Sequence, residues 1–143
     1  MKFSRQLKAF ILVLAIVVLD QITKILALSY NTDQRLIPGI LELEFIKNTG
    51  AGFGILSGQN LILAWLGLIV IGAILFFYNN IEKDLRLPLM IVLAGIIGNT
   101  IDRFVHGFVI DFIAFSFWPA FNVADAAITA GVLWTIMVVF KSG

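Results

Sequence analysis

The run LILAWLGLIVIGAILFF at residues 61–77 decides the fold, because it contains no charged side chain over its whole length. A helix needs about 20 mainly apolar residues to cross the hydrocarbon core of a bilayer. Asn60 and Tyr78 flank the run and bring it close to that length. The sequence therefore predicts a transmembrane helix at about residues 60–78.

Three further apolar segments lie outside this one, at about residues 8–29, 87–104 and 120–140. Pro88 suits the first turn of the third helix. The chain of 143 residues is 60% hydrophobic and 13% charged, whereas a soluble domain is usually about a quarter charged. We therefore predict an all-α polytopic membrane protein with four spans, folded as a single domain over residues 1–143.

The first segment has an alternative interpretation as a cleaved secretory signal peptide, because basic residues precede its apolar run. No small-x-small cleavage site follows that run directly, and apolar character resumes at Ile25. A retained first span is the favoured interpretation.

Basic residues outside the spans predict the orientation of the chain. Those that fall on one side of a four-span protein are Lys2, Arg5, Lys8, Lys83, Arg86 and Lys141. Positive charge marks the cytoplasmic side of a membrane protein. Both termini are therefore expected in the cytoplasm, and residues 30–59 on the opposite side.

The extracytoplasmic segment at about residues 30–59 has features of a small β-sheet. Residues 40–47 partly alternate between apolar and charged side chains, which is typical of a strand. A glycine-rich, turn-prone run follows at residues 48–54, and it lacks the terminal Gly-Lys-Ser/Thr of a phosphate-binding loop. We predict a small sheet that rests on the outer membrane surface.

Composition excludes several classes of function. The net charge of +1 gives no indication of nucleic-acid binding, and the absence of cysteine excludes disulfides and thiol chemistry. One histidine cannot build a usual zinc site, and Ser57 does not stand in a Gly-x-Ser-x-Gly motif. We expect no metal and no cofactor.

Polar residues on three of the predicted spans reach the same depth. Lys24, Asp102 and Asp125 each lie sixteen residues from a basic residue at the cytoplasmic end of their span, which is roughly 24 Å of helix. Asp20 lies one turn deeper. In a hydrocarbon core of about 30 Å, all of these groups fall in the outer leaflet. Charges at that depth are costly and usually face a protein interior with a function.

The polar residues of spans three and four also share helix faces at 100° per residue. One face of span three carries Gly95, Gly98, Asn99, Asp102 and His106, and one face of span four carries Asn122, Asp125 and Thr129. Small residues allow helices to approach closely, and amides can hydrogen-bond between them. We predict that these two faces meet.

Two segments, GNTIDR at residues 98–103 and FNVAD at residues 121–125, each place an amide and a carboxylate three residues apart. A third carboxylate, Asp111, lies between them. In a chain without cysteine, such a cluster is typical of acid–base catalysis by paired carboxylates.

The remaining charged residues of the spans have structural interpretations. Asp20 and Lys24 are spaced as an i,i+4 ion pair with the acid first. Asp102 and Arg103 suit a network that orients other groups, although a catalytic role for Asp102 stays open at this point. We interpret His106 as an interfacial or structural residue.

Five motifs follow one another in an order that resembles bacterial lipoprotein signal peptidase, the type II signal peptidase. They are Asp20-Gln21-x-Thr-Lys24, Asn48-Thr-Gly50-Ala51, Gly98-Asn99-x-x-Asp102-Arg103, Val109-Ile-Asp111-Phe112 and Phe121-Asn122-x-Ala124-Asp125. The resemblance implies an aspartyl protease of the cytoplasmic (inner) membrane. Such an enzyme removes signal peptides from diacylglyceryl-modified prolipoproteins by cutting immediately before the lipidated cysteine.

The resemblance also implies roles for individual residues. The catalytic pair matches Asp111 and Asp125. The residues that match supporting or substrate-binding positions are Asn99, Asp102, Arg103, Asn122, Asn48, Asp20 and Lys24. The external sheet would form a β-sheet cradle over a site on the extracytoplasmic side. Expected partners are the lipidated substrates, membrane lipids and cyclic-peptide inhibitors, and we expect a monomer.

The chain departs from the family pattern in two places. Isoleucine occupies position 110, where valine is common, and the segment between Asp111 and Asp125 is short. The second departure leaves open the shape of the substrate mouth.

Two interpretations without proteolysis remain open on the sequence. A small four-helix transporter could use Asp102 or Asp125 as a proton or cation relay, since it would also bury carboxylates. A structural subunit of a larger membrane complex is the other alternative.

Overall fold

Four long helices form most of the structure, a computed structural model that describes residues 5–30, 34–51 and 56–142. The helices are α1 (Arg5–Tyr30), α2 (Asn60–Phe77), α3 (Lys83–His106) and α4 (Val123–Ser142). Each contains a stretch that is long and apolar enough to cross a membrane. The predicted class, a four-span helical membrane protein with a small sheet, is confirmed.

A four-stranded antiparallel sheet completes the fold, with strand order β1-β2-β3-β4. The strands are β1 (Gln34–Ile37), β2 (Leu41–Asn48), β3 (Val109–Phe115) and β4 (Trp118–Phe121). The predicted strand at residues 40–47 corresponds to β2. Strands β3 and β4 were not predicted, although the β-branched and aromatic run VIDFIAF has a composition typical of strands.

Two helix starts differ from the prediction. Helix α3 begins at Lys83 rather than near Leu87, so Pro88 lies inside the helix and not in its first turn. The missing N–H of this proline removes one intrahelical bond close to the helix end. Helix α4 begins at Val123 rather than near Ala120, because residues 118–121 belong to β4.

Helix α3 lies at the centre of the bundle. Half of its apolar window is buried, against 11% or less in each of the other three helices. Glycines on α3 allow close approach: a Cβ added at Gly98 would lie 3.2 Å from the Ala124 Cβ, and one at Gly95 would overlap the Ala124 carbonyl oxygen. The small-residue face of α3 therefore brings α4 and its N-terminal polar residues into direct contact.

The apolar core lies toward the end of the bundle opposite the sheet, where Ala9, Met90 and Leu93 are buried together. Many large apolar side chains of α1, α2 and α4 point outward, for example Phe10 at 63%, Ile69 at 64% and Phe140 at 81% exposure. Such surfaces match a lipid environment. Two features of the sequence lie outside the described residues: Lys2 of the basic flank, and residues 52–54 of the glycine-rich run.

Candidate active site

The innermost part of the site is a buried cluster of three charges, Asp20, Lys24 and Asp102. The Lys24 Nζ lies 2.8 Å from Asp20 Oδ2 and 2.9 Å from Asp102 Oδ2, and all three side chains are at most 1% exposed. Gln21 Nε2 donates to Asp102 Oδ1 at 3.0 Å and to Asp20 Oδ2 at 3.2 Å. The predicted Asp20–Lys24 ion pair therefore forms, and Asp102 joins it.

Lys24 also fixes the orientation of the Asn99 amide. Its ammonium can only donate, so it faces Asn99 Oδ1, at 3.0 Å. Asn122 Nδ2 donates to the same oxygen at 3.2 Å. The Asn99 Nδ2 is thereby turned toward Asp125, where it donates to Oδ1 at 2.7 Å. The predicted contact between the polar faces of α3 and α4 is confirmed by this bond.

Asp125 is held at the start of α4 by a reciprocal pair of bonds with Asn122. The Asp125 backbone N–H donates to Asn122 Oδ1 at 2.9 Å, and the Asn122 backbone N–H donates to Asp125 Oδ2 at 3.2 Å. This is the geometry of a capping box, in which an N-cap side chain and a third-residue acid satisfy each other's backbone donors. It places the Asp125 carboxylate at a helix N-terminus, where negative charge is favoured.

Asp111 reaches the same place from strand β3. Its Oδ1 accepts a hydrogen bond from Asn122 Nδ2 at 2.7 Å, and its Oδ2 accepts one from Asn48 Nδ2 at 2.8 Å. Asn48 is in turn fixed by the Gly50 N–H, which donates to its Oδ1 at 2.9 Å. Asn122 thus donates to both Asp111 and Asp125, and the two carboxylates lie on either side of one residue.

Burial raises the pKa of Asp111 from 3.8 to about 7, and the negative charge of Asp125 contributes in the same direction. Hydrogen bonds from Asn48 and Asn122 and the charge of Lys24 oppose this rise. Two close carboxylates disfavour simultaneous ionisation. The pair is therefore suited to hold one proton near neutral pH.

Arg103 contacts the site through backbone oxygens. Its Nη2 donates to the Gly50 carbonyl at 2.9 Å, and its Nη1 donates to the Asn99 carbonyl at 3.3 Å. The Nε is buried and has no hydrogen-bond partner among the described residues. Arg103 therefore connects the segment after β2 to helix α3, as expected for a residue that orients other groups.

A single hydrogen-bonded network contains every residue that the sequence predicted for the site: Asp20, Lys24, Asn48, Asn99, Asp102, Arg103, Asp111, Asn122 and Asp125. His106 shares its helix face but does not join the network; it is exposed and lies 5.8 Å from the Phe108 ring. Thr129 is also exposed. Within the described ranges, no group of three or more histidine, aspartate or glutamate residues is placed to hold a metal ion.

Sequence reasoning missed three contributors. Gln21 bonds both carboxylates of the charged cluster, and its position beside Asp20 was the available signal. The other two, Ile110 and Ala124, contribute backbone N–H groups to Asp102 and Asp20. Almost every residue type has a backbone N–H, so the pattern of side chains does not predict these two contacts. Only the structure shows them.

The arrangement can carry out proton transfer between a bound water and a polar substrate group. Each oxygen of Asp111 and Asp125 accepts one N–H bond from the protein. A carboxylate oxygen has a second lone pair for water or a proton. One ionised and one protonated carboxyl group could therefore serve as general base and general acid.

Comparison with known proteins identifies the family. The model of the signal peptidase (SPase) II family matches residues 12–141. The chain belongs to the signal peptidase II family. Relatives include the lipoprotein signal peptidases of Streptococcus thermophilus, 39% identical with 90% of each chain covered, and of Shouchella clausii, 41% identical with 87% of each chain covered.

Two solved structures agree with this membership. One is a bacterial membrane enzyme determined by the in meso method at 2.3 Å resolution; it has a TM-score of 0.86 and 28% identity, with 94% of this chain and 88% of that chain covered. A second, at 1.9 Å resolution, has a TM-score of 0.81 and 28% identity, with 95% and 94% covered. A protease embedded in a membrane is thereby confirmed, and the transporter alternative is not supported.

Proposed function

We propose that this member of the signal peptidase II family is an aspartic endopeptidase whose catalytic pair is Asp111 and Asp125. Its substrates are diacylglyceryl-modified prolipoproteins, which it cuts immediately before the lipidated cysteine. The observation that carries the proposal is the shared donor, because Asn122 bonds both carboxylates and joins them into one unit. The pKa of about 7 for Asp111 supports a pair with one proton.

In the proposed mechanism the ionised member of the pair removes a proton from water, and the water oxygen attacks the scissile carbonyl carbon. The protonated member donates its proton to the carbonyl oxygen. The tetrahedral intermediate then breaks its C–N bond, and the nitrogen takes up a proton as the amine leaves. The water molecule thus supplies the oxygen of the new carboxyl group and a proton for the new amine. The pair titrates as a unit throughout.

The supporting residues hold this pair in place. Asn48 and Asn122 donate to Asp111, while Asn99 and the Asn122 backbone donate to Asp125. Donors aimed at both carboxylates need no reorganisation when charge moves during the reaction. Arg103 holds the Gly50 carbonyl, and with it the segment that follows β2, against the site.

The proposed orientation has both termini in the cytoplasm and the catalytic pair in the outer leaflet. Lys83, Arg86 and Lys141 mark one end of the bundle, and the sheet lies at the other end of α3. The four strands would then form a cradle over the site on the extracytoplasmic side. We propose that the chain acts as a monomeric, single-domain peptidase over residues 1–143, in contact with membrane lipids.

Lipid on the substrate has a physical role in this proposal. The catalytic pair lies below the membrane surface, so a scissile bond reaches it only if the substrate is anchored at that depth. Diacylglycerol provides the anchor, and its binding energy can position the reacting bond. A cyclic peptide that occupies the same cleft would inhibit by competing with the substrate.

The test is a gel-shift cleavage assay in one detergent with diacylglyceryl-modified and unmodified forms of the same prolipoprotein. We expect the wild type to cut the modified form and to cut the unmodified form far more slowly. Asp111→Asn and Asp125→Asn should each abolish cleavage, because a general acid or base contributes about 10²–10⁴-fold.

Asp84→Asn is the matched control, since it makes the same substitution on the exposed first turn of α3. It should cleave at the wild-type rate. Near wild-type cleavage by either dyad variant would exclude that aspartate from catalysis. Equal kcat/KM for the two substrates would exclude lipid recognition. A structural subunit predicts no loss of activity in either variant.

A further inference from the structure

The buried cluster of Asp20, Lys24 and Asp102 makes two backbone contacts with a common property. Asp102 Oδ2 accepts the Ile110 N–H at 3.0 Å, and Asp20 Oδ1 accepts the Ala124 N–H at 2.8 Å. Ile110 immediately precedes Asp111, and Ala124 immediately precedes Asp125. Each carboxylate of the cluster therefore holds the backbone one residue before a member of the proposed catalytic pair.

We propose that this charged cluster is a positioning device that fixes Asp111 and Asp125 relative to each other through the amides of Ile110 and Ala124. The proposal rests on the proposed function, because it takes these two aspartates as the catalytic pair. The pair comes from two different elements, strand β3 and helix α4. Lys24 bonds both carboxylates of the cluster, so it connects the strand attachment to the helix attachment.

A third contact leads from the cluster to Asp125 itself. Lys24 donates to Asn99 Oδ1, which directs the Asn99 Nδ2 to Asp125 Oδ1. Lys24 thus acts on Asp125 along two routes, one through the backbone of Ala124 and the other through the Asn99 side chain. None of the three charged residues touches the Asp111 or Asp125 side chain among the described contacts. Apart from the charge of Lys24, which lowers the pKa of Asp111, they act on the pair by positioning it.

Stability alone gives a weak reason for such a cluster. Desolvation of buried charges is costly, and replacing a buried ion pair by apolar residues of similar volume is often neutral or stabilising. The two carboxylate oxygens that accept the Ile110 and Ala124 backbone N–H groups have a more specific use. Ala124 lies in the first turn of α4, where a backbone N–H has no intrahelical partner, and Asp20 satisfies it. Accurate placement is valuable because a displacement of about 1 Å can cost about 100-fold in rate.

Asp102 offers a substitution that separates bonding from charge. In Asp102→Asn, the amide oxygen can take the place of Oδ2 and accept from both Ile110 and Lys24. The amide NH₂ then faces Gln21 Nε2, which is held in place by its bonds to Asp20 Oδ2 and the Gly98 carbonyl, so Asp102→Asn loses the bond to Gln21 but keeps the acceptor for Ile110. Asp102→Ala removes the acceptor altogether. Both variants are neutral at position 102, so they differ in the bonds to Ile110 and Lys24 and not in net charge.

We expect Asp102→Ala to lower kcat on the lipidated substrate about 100-fold, with KM changed by less than about threefold. Asp102→Asn should retain at least about a tenth of the wild-type kcat. Met90→Ala is the control for general destabilisation, because it opens the apolar core far from the site. It should lower the melting temperature without lowering kcat.

Three outcomes would overturn the positioning role. Equal kcat values for Asp102→Ala and Asp102→Asn would mean that the charge and not the bond matters. A kcat for Asp102→Asn as low as that of Asp111→Asn would make Asp102 a catalytic residue. A kcat loss in Asp102→Ala that Met90→Ala reproduces at the same loss of melting temperature would leave only a structural role.

Failure of the positioning role is distinguishable from failure of the proposed function. The proposed function fails if wild type does not cut the lipidated substrate, or if Asp111→Asn and Asp125→Asn cut it normally. The positioning role is judged only where these controls behave as expected. If Asp102→Ala does not fold in detergent, Asp102→Asn carries the test alone. A kcat of at least about a tenth of the wild-type value supports the positioning role, and a lower kcat overturns it.

Discussion

Asn48 offers a quantitative test of how the site controls proton affinity. Its Nδ2 donates to Asp111 Oδ2 at 2.8 Å, and this bond favours the ionised carboxylate. A hydrogen bond to a charged group contributes about 1.5–3 kcal/mol, and one pKa unit corresponds to about 1.36 kcal/mol. Asn48→Ala should therefore raise the pKa of Asp111, which is about 7 in the wild type, by about 1 to 2 units.

The assay is the pH dependence of kcat/KM for cleavage of the lipidated substrate, measured for wild type and Asn48→Ala. The limb of the profile that reports Asp111 should move toward alkaline pH by about 1 to 2 units, whether Asp111 acts as the acid or as the base. Asn80→Ala is the matched control, because Asn80 is exposed in the short turn between α2 and α3. Its profile should coincide with that of wild type.

The reasoning is refuted if Asn48→Ala cleaves the substrate with an unshifted profile, or with a profile shifted toward acid pH. The melting temperature serves as a second measurement, because Asn48 Oδ1 also accepts the Gly50 N–H at 2.9 Å. A loss of folding would lower activity at every pH without moving the limb, so a shift of the limb is specific to the effect on Asp111.

Three further predictions concern stability, Arg103 and topology. Because the pKa of Asp111 is raised from 3.8 to about 7, the folded protein binds this proton more tightly than the unfolded chain, and stability is lost as pH rises through that window. The melting temperature of Asp111→Asn should therefore rise relative to wild type between about pH 4 and pH 7, and a constant difference would contradict the raised pKa. Arg103→Lys should lower kcat/KM about 10-fold or more, because one ammonium cannot reproduce two bonds made by separate nitrogens to the Gly50 and Asn99 carbonyls; unchanged kinetics and thermal stability would reduce Arg103 to an interfacial charge. The chain has no cysteine, so single cysteines can report its topology. A cysteine at exposed position 57 should react with an impermeant thiol reagent in intact cells, and one at exposed position 80 should not. The reverse labelling would invert the proposed topology.

The sequence by itself determined the class of the protein and indicated the residues that we propose for the site. Long uncharged runs such as residues 61–77 require a membrane, because a soluble domain cannot leave so much apolar surface in water. The shared depth of Lys24, Asp102 and Asp125 follows from helix rise alone. These properties are local, and each can be read from spacing within one segment.

One misplaced boundary was also within reach of the sequence. The Asn-x-x-Asp pattern at residues 122–125 is a helix-start signal as well as a pair of polar residues. As a helix-start signal, this pattern predicts that α4 begins at Val123 and not near residue 120. The start of α3 was harder, because Pro88 suits a first turn and the charged residues ahead of it gave no apolar signal.

Only the tertiary structure decided which carboxylates lie in the proposed catalytic pair and which lie in the charged cluster. The spacing within Asn99-x-x-Asp102 and Asn122-x-x-Asp125 is identical, yet Asp102 faces Lys24 and the Ile110 amide, while Asp125 faces Asn99 and Asn122. Asp111 reaches Asp125 because β3 pairs with β2, in a register that sets Asp111 opposite Ile46 and Val109 opposite Asn48. Strand register and helix packing depend on contacts between residues far apart in the chain, and for that reason no local pattern could separate the proposed catalytic pair from the charged cluster behind it.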